Sequence, residues 1–271
     1  MHDDKVVLIT GATGGIGSSI ARKFAQHPFK LILLDVDLDA LELLKKQLEE
    51  EWSATVMICC HDLEQIEKLP TVLEEIYAQC GRIDVLINNA AWRTVETMRQ
   101  IELDTWEKTL RICLTAPAFL AKWVAEKMEN RNQSGVIINL SSVMSQRTGG
   151  TSPAYVACKG GIESLTYELA ALYGPKNIRV VAISPGNIQT KLSEDFINDK
   201  GETVSADINE DLNRLVPMGR SGTPLEVANV CYWISTEEAS FITGTNITVD
   251  GGFSHNFNSY LMKKKHFPNE F

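Results

Sequence analysis

Tyr155 and Lys159 stand four residues apart in Tyr155-Val156-Ala157-Cys158-Lys159, a spacing that puts both side chains on one face of a helix. An ordinary phenol is only about one part in a thousand ionised at neutral pH. An ammonium ~4 Å away at an effective dielectric of ~20 contributes roughly 4 kcal/mol, about the ~3 pKa units separating an inert phenol from one that exchanges protons near neutrality. Tyrosine–lysine pairs at this spacing are common on helix surfaces, so the pair gains weight only from its surroundings. Ser142 lies thirteen residues upstream, at the end of the apolar segment Val136-Ile137-Ile138-Asn139-Leu140-Ser141. Asn88-Asn89-Ala90-Ala91 and Pro185-Gly186-Asn187-Ile188-Gln189-Thr190 leave two other apolar segments in the same way. In parallel sheets, ligands bind where strands end at their carboxyl side.

A second group of residues suits a phosphate. The run Thr10-Gly11-Ala12-Thr13-Gly14-Gly15-Ile16-Gly17 follows an apolar segment and opens a helical one. Glycines allow a tight turn and close backbone approach to a pyrophosphate, and the helix start offers unpaired amides and a positive dipole end. Asp35 follows Gly17 by eighteen residues, at the end of the next apolar segment, where a carboxylate accepts hydrogen bonds from an adenosine ribose. The same charge repels a 2′-phosphate, by roughly 4 kcal/mol at ~4 Å and an effective dielectric of ~20. Val36 follows Asp35, and the glycine run holds no basic residue, so the reading is NAD(H) over NADP(H). Asp37, just before Leu38, is the better candidate for a helix cap than Asp35.

These residues need an alternating scaffold. Strands are expected at Lys5–Thr10, 30–35, 54–59, 83–88, 135–141, 178–184 and 246–249, with helical patterns at 18–26, 38–51, 105–130 and Pro153–Tyr173. Most of the strand segments are apolar without polar alternation, as when both sheet faces are covered. The rhythm predicts a single-domain α/β chain over 1–271, a Rossmann-like doubly wound parallel sheet with helices on both faces. The polar segment 187–220, with Asp199-Lys200-Gly201, interrupts the rhythm and reads as a substrate lid or loop. Residues 253–271 form a C-terminal tail, read as an oligomer contact, a cover for a neighbour's site or a frayed end.

Composition narrows the classes further. Of 271 residues, 44% are hydrophobic and 23% charged, which excludes a disordered or collagen-like chain. The net charge of −9 argues against a partner held through phosphate neutralisation, so no nucleic acid is expected. No apolar stretch reaches the ~20 residues of a membrane span, and no signal peptide is visible. The six cysteines lack C-x-x-C spacing, so no metal is expected, and reduced thiols in a cytoplasmic protein are the simplest account.

Together these motifs resemble the short-chain dehydrogenase/reductase family, in its branch of about 250 residues, over 5–252. They include Thr10-Gly11-x-x-x-Gly15-x-Gly17, Asn88-Asn89-Ala90, Ser142, Tyr155-x-x-x-Lys159, Pro185-Gly186, Thr243-Gly244 and Val249-Asp250-Gly251-Gly252. The resemblance implies Tyr155 as general acid/base, Ser142 as the hydrogen-bond donor to the same substrate oxygen, and Lys159 as the residue that holds the nicotinamide ribose and acidifies the tyrosine. It implies that Asp62 binds the adenine amino group and Thr190 the carboxamide, while Asn89, Ala90 and Ala91 lie along the adenosine ribose. The full cofactor groove so implied comprises Gly11, Thr13, Gly15, Ile16, Gly17, Asp35, Asp62, Leu63, Asn89, Ala90, Ala91, Tyr155, Lys159, Pro185, Gly186, Ile188 and Thr190. The family's catalytic asparagine is replaced by Cys113, seven residues after Trp106, and a usual glycine by Ala91. If the asparagine serves mainly through a backbone carbonyl at a helix kink, Cys113 can supply it.

For the substrate, Trp92, Arg93, Gln146 and Arg147 border the expected cleft, and an arginine there suits a polar, carboxylated or polyhydroxylated molecule. The leading reading is an NAD-dependent oxidoreductase interconverting a secondary alcohol and a carbonyl, on a sugar, sugar acid or polyol. The rivals are an NADPH-dependent 3-oxoacyl-type reductase and a non-catalytic NAD(H)-binding regulator. A homodimer or homotetramer is expected from the family.

Overall fold

The computed structural model describes residues 5–198 and 200–270. Met1 to Asp4 of the leader reading, Asp199 of the lid reading and Phe271 of the tail lie outside the described residues.

Seven strands form one parallel sheet: β1 (Lys5–Thr10), β2 (Phe29–Asp35), β3 (Thr55–Cys60), β4 (Val85–Asn88), β5 (Gly135–Leu140), β6 (Ile178–Pro185) and β7 (Thr245–Val249). Their order is β3-β2-β1-β4-β5-β6-β7, with every neighbouring pair parallel. The helices are α1 (Gly15–Ala25), α2 (Leu38–Trp52), α3 (Leu69–Cys80), α4 (Leu103–Leu110), α5 (Ala116–Asn130), α6 (Pro153–Tyr173), α7 (Ser205–Leu215), α8 (Pro224–Ser235) and α9 (Tyr260–His266). Successive strand residues point to opposite faces. Val7, Ile9, Leu31, Leu33, Ile87 and Ile138 pack with α1, α2 and α8 on one side. Val6, Leu8, Ile32, Leu34, Leu86 and Ile137 pack with α3, α5 and the end of α6 on the other. Two covered faces explain why the strands read as unbroken apolar runs.

The chain reverses direction across the sheet between β1 and β4. β1 leads outward to β2 and β3, and β4 starts the opposite half, so a crevice opens beyond the carboxyl ends of these two strands.

The strands and the helices α1, α2 and α6 fall close to the expected positions, α3 and α8 lie where no helical pattern was read, and one departure is informative. The helical pattern 105–130 is interrupted by a π-helical turn over Arg111–Thr115, in which the Ala116 amide bonds the Arg111 carbonyl five residues back. Pro117 accounts for the disturbance. It has no N–H, so it gives a backbone bond neither to the i−4 carbonyl of Cys113 nor to the i−5 carbonyl of Ile112. The segment 187–220 holds more order than its polarity suggests: a short turn at Lys191–Ser193, a bridge pairing Ile197 with Thr203, and α7. The tail likewise carries a turn at Phe253–His255 and α9. No helix among the described residues is long and apolar enough to cross a membrane.

Candidate active site

The glycine run is folded hard against its neighbours. Gly11 has a positive φ of 62°, and a Cβ there would lie 2.6 Å from Ala90 Cα. A Cβ on Gly17 would lie 2.0 Å from the Gly11 carbonyl oxygen, and one on Gly15 would lie 2.8 Å from Thr190 Cγ2. Asn89 fixes the turn, its Nδ2 donating to the carbonyls of Thr10 and Gly11 at 2.9 Å each. The Thr10 hydroxyl accepts from the Asn89 and Ala90 amides at 3.0 and 3.1 Å. Helix α1 then begins at Gly15 with no side-chain cap and no acidic residue in its first turn. Amides so left are suited to an anion.

Asp35 ends β2 beside this turn. Its Oδ2 accepts from the Thr13 amide at 2.9 Å and the Thr13 hydroxyl at 2.7 Å, and its Oδ1 from the Val36 amide at 2.7 Å. Asp37 caps α2 by accepting from the Ala40 amide at 3.0 Å. Asp62 follows β3 and accepts from the Glu64 amide at 2.9 Å, while Leu63 is buried against the α3 face. On the opposite wall, a Cβ on Gly186 would lie 2.7 Å from Asp250 Cβ, and the Gly186 amide donates to the Val249 carbonyl at 2.9 Å. Ile188 is buried in the α1/α8 core, and its backbone bridges to Gly222. A cradle that only glycine fits, an uncapped helix start and a carboxylate at the next strand end together suit a dinucleotide.

Ser142 leaves β5 buried, with its Oγ accepting from the Met144 amide at 3.1 Å. Helix α6 passes alongside and carries Tyr155 and Lys159, which are 9% and 3% exposed. Lys159 Nζ donates to the Leu140 carbonyl, the last of β5, at 2.6 Å and lies 5.2 Å from the centre of the Tyr155 ring. The ammonium therefore sits inside the protein at the carboxyl end of β5, two residues from Ser142. Glu163, one turn farther along α6, is a buried carboxylate that the sequence reading missed. Its Oε1 accepts from the hydroxyls of Ser141 at 3.0 Å, Ser145 at 2.5 Å and Ser184 at 3.0 Å, and its Oε2 from Gln146 Nε2 at 3.1 Å. It thereby ties the end of β5, the turn beyond Ser142 and the end of β6 to the helix that carries Lys159. Its place on the Tyr155–Lys159 face was the available signal: Glu163 is four residues past Lys159.

Cys113 lies in the π turn, 1% exposed, and packs with Tyr155, Cys158 and Met144. Its Sγ is 3.3 Å from both the amide nitrogen and the carbonyl oxygen of Trp92, holding the loop after β4 against the wide turn of the helix. Burial raises the Cys113 thiol above its ordinary range, and the nearby Lys159 charge only partly offsets this. Burial pushes the Cys158 thiol up to about 12, so neither sulfur is a thiolate near neutral pH.

A family model described as enoyl-(acyl carrier protein) reductase matches residues 11–254. An oxidoreductase of Thermotoga maritima, uncharacterised by its name, is 33% identical over 94% of this chain and 97% of its own. The chain belongs to the short-chain dehydrogenase/reductase family. Another relative of this dehydrogenase/reductase is the NAD-dependent glycerol dehydrogenase of Listeria innocua, 31% identical over 93% of this chain and 94% of its own. The solved structure of L-sorbose reductase from Gluconobacter frateurii, complexed with NADPH and L-sorbose, is similar with a TM-score of 0.86 and 27% identity. It covers 94% of this chain and 98% of its own.

In this short-chain dehydrogenase/reductase, the four residues expected to border the substrate all have protein partners. Arg93 Nη2 donates to Asp195 Oδ1 at 2.9 Å, and its guanidinium lies 5.6 Å from the centre of the Phe196 ring. Arg147 Nη1 donates to the carbonyl of Phe253 and, at 2.9 Å, to that of Asn256, with its guanidinium 4.2 Å from the Phe253 ring centre. Gln146 bonds Glu163, and the Trp92 ring carries Lys108 Nζ at 4.9 Å. The partners Asp195, Phe253 and Asn256 were not identified from the sequence. They lie about a hundred residues away, where spacing gives no signal.

Proposed function

We propose that this short-chain dehydrogenase/reductase is an NAD(H)-dependent enzyme that interconverts a secondary alcohol of polyol or sugar type and the corresponding carbonyl. One observation carries the reading: a buried lysine bonds the last carbonyl of β5, two residues before Ser142, with its ammonium 5.2 Å from the Tyr155 ring centre, at the same end of the sheet as the glycine cradle. Gly11, Gly15, Gly17, Asp35, Asn89 and Thr190 are the residues that would hold the dinucleotide. Such a dinucleotide would supply the hydride chemistry, exchange of a hydride with the alcohol or carbonyl carbon of the substrate.

The chain's own residues handle the proton. In the oxidising direction the Tyr155 oxygen takes the hydroxyl proton of the substrate, and in the reducing direction its hydroxyl returns one to the carbonyl oxygen. The Lys159 charge stabilises negative charge as it develops on the phenol oxygen. That charge is effective because Lys159 is 3% exposed and its ammonium bonds a carbonyl rather than a counter-ion. Ser142 donates to the substrate oxygen and limits where it can sit. Glu163 positions Ser142 and the turn beyond it. The asparagine usual in the family is absent, but the wide helix turn is present, with Pro117 withholding a backbone donor from its carbonyls. This supports a backbone contribution from the turn rather than a side-chain one.

Asp35 supports NAD(H): three protein donors fix its carboxylate at the end of β2, and no cation bonds it among the described residues. A 2′-phosphate at ~4 Å would meet roughly 4 kcal/mol of repulsion at an effective dielectric of ~20, less where water screens it. Initial rates on a polyol panel with each oxidised cofactor test the reading. NAD is expected to give kcat/KM at least ~100-fold above NADP, Asp35→Ser to shrink that ratio at least ~10-fold, and Tyr155→Phe to lower kcat ~10³-fold. Equal use of the two cofactors would defeat the cofactor assignment. A fully active Tyr155→Phe would defeat the mechanism.

A further inference from the structure

Two loops leave the sheet on either side of β5, one from the end of β4 and one from the end of β6. The Arg93–Asp195 bond joins them. Because β4 and β6 flank β5, this bond joins the loops on either side of the strand end that Lys159 bonds and that Ser142 follows by two residues. The Arg93 side chain is 8% exposed, enclosed by Asp195 and the Phe196 ring. The other arginine beside the catalytic turn, Arg147, is taken up by two backbone carbonyls and the Phe253 ring. Neither guanidinium stands ready for an incoming acid. A substrate carboxylate would have to displace Asp195 from Arg93 and then lie beside the displaced charge.

We infer that the Arg93–Asp195 bridge is a specificity determinant that admits uncharged polyols and hydroxyketones and rejects hydroxy acids. The inference rests on the dehydrogenase reading above and narrows its substrate class. The neutral hydroxyls of a polyol meet the bridge without breaking it, whereas an acid must exchange one ion pair for another at the cost of a like charge alongside.

The test compares kcat/KM for glycerol, xylitol and sorbitol with that for glycerate, gluconate and 3-hydroxybutyrate, in the full-length protein and two variants. The unaltered protein is expected to favour the best neutral substrate over the best acid at least ~50-fold. Asp195→Asn removes the competing charge and is expected to narrow that ratio at least ~10-fold, mainly through a lower KM for the acids. Arg93→Met removes the cation instead and is expected to leave the ratio as wide or wider, which separates charge selection from mere loosening of the loops. Preference for the acids in the unaltered protein would overturn the inference while leaving the dehydrogenase reading intact. An unchanged ratio in Asp195→Asn, or equal narrowing in Arg93→Met, would overturn it as well. Absence of turnover on every compound with either cofactor would defeat the dehydrogenase reading, and this inference with it.

Discussion

The two ends of the crevice are built differently. At the nucleotide end, small residues and backbone groups meet at contact distance: Gly11 on Ala90, Gly17 on the Gly11 carbonyl, Asn89 on two carbonyls and Asp35 on two amides. Around the residues proposed to border the substrate, long side chains reach between segments far apart in the chain, Arg93 to Asp195 across 102 positions and Arg147 to Asn256 across 109. Backbone-to-backbone contact has no adjustable part, so a single added carbon forces the main chain to move. A side-chain bridge can be exchanged for another without disturbing the sheet. The difference suits a fold that keeps one cofactor grip while varying what it oxidises.

The hardest strain on that contrast comes from Gly17→Ala. Its Cβ would lie 2.0 Å from a backbone oxygen, so the turn must open, and NADH affinity is expected to fall at least ~100-fold in a fluorescence titration. Near-normal affinity would mean the cradle yields as easily as a side-chain bridge. Arg147→Ala applies the same question to the other end. It removes the hold on the Phe253 and Asn256 carbonyls, and Asn256 Nδ2 in turn bonds the Leu215 carbonyl at the end of α7 at 2.7 Å. The substrate KM is expected to rise ~5–10-fold while NADH affinity stays within ~2-fold. A matching loss of NADH affinity would show that the two ends are not separable.

The smallest effect lies at the end of the segment 187–220, where Arg220 bonds both carboxylate oxygens of Glu226 at 2.6 and 3.0 Å, in the capping box of α8. The Arg220 guanidinium, followed by the Thr223 amide, holds the Glu226 carboxyl down at about 2. A folded-state value below the unfolded one contributes stability above the ordinary carboxylate range, and that contribution disappears as pH falls through about 2. Both groups are exposed, so the contribution is small. Thermal melts from pH 7 down to pH 2 are expected to show Arg220→Ala a degree or two below the unaltered protein at the top of the range, with the gap closing below about pH 4. A gap that widens on acidification would reverse the assignment.

The parts of the molecule that could be read in advance depend on local rules. The glycine run needed to follow a strand and open a helix, and it does. The seven strands are apolar because both faces are covered, and their ends fall within two residues of where the pattern puts them. Periodicity alone did not show the π turn, although Pro117 inside a helical pattern marked the place and the family resemblance pointed to a kink at Cys113. Glu163 was passed over because a glutamate on a helix normally faces water. Only the packing of β5 and β6 against α6 surrounds it with three hydroxyls.

The sequence alone determined the alternation of strand and helix, the glycine cradle, the acidic residue at the end of β2 and the four-residue spacing of tyrosine and lysine. Each follows from steric rules or periodicities that act within a few residues. The tertiary structure alone decided that the Lys159 ammonium is buried against the last carbonyl of β5. It also decided that Cys113 fastens the loop after β4, and that Arg93 and Arg147 are occupied by partners about a hundred residues away. Such pairings depend on which loops the sheet order brings together, and charge or hydrogen-bond complementarity carries no record of chain distance.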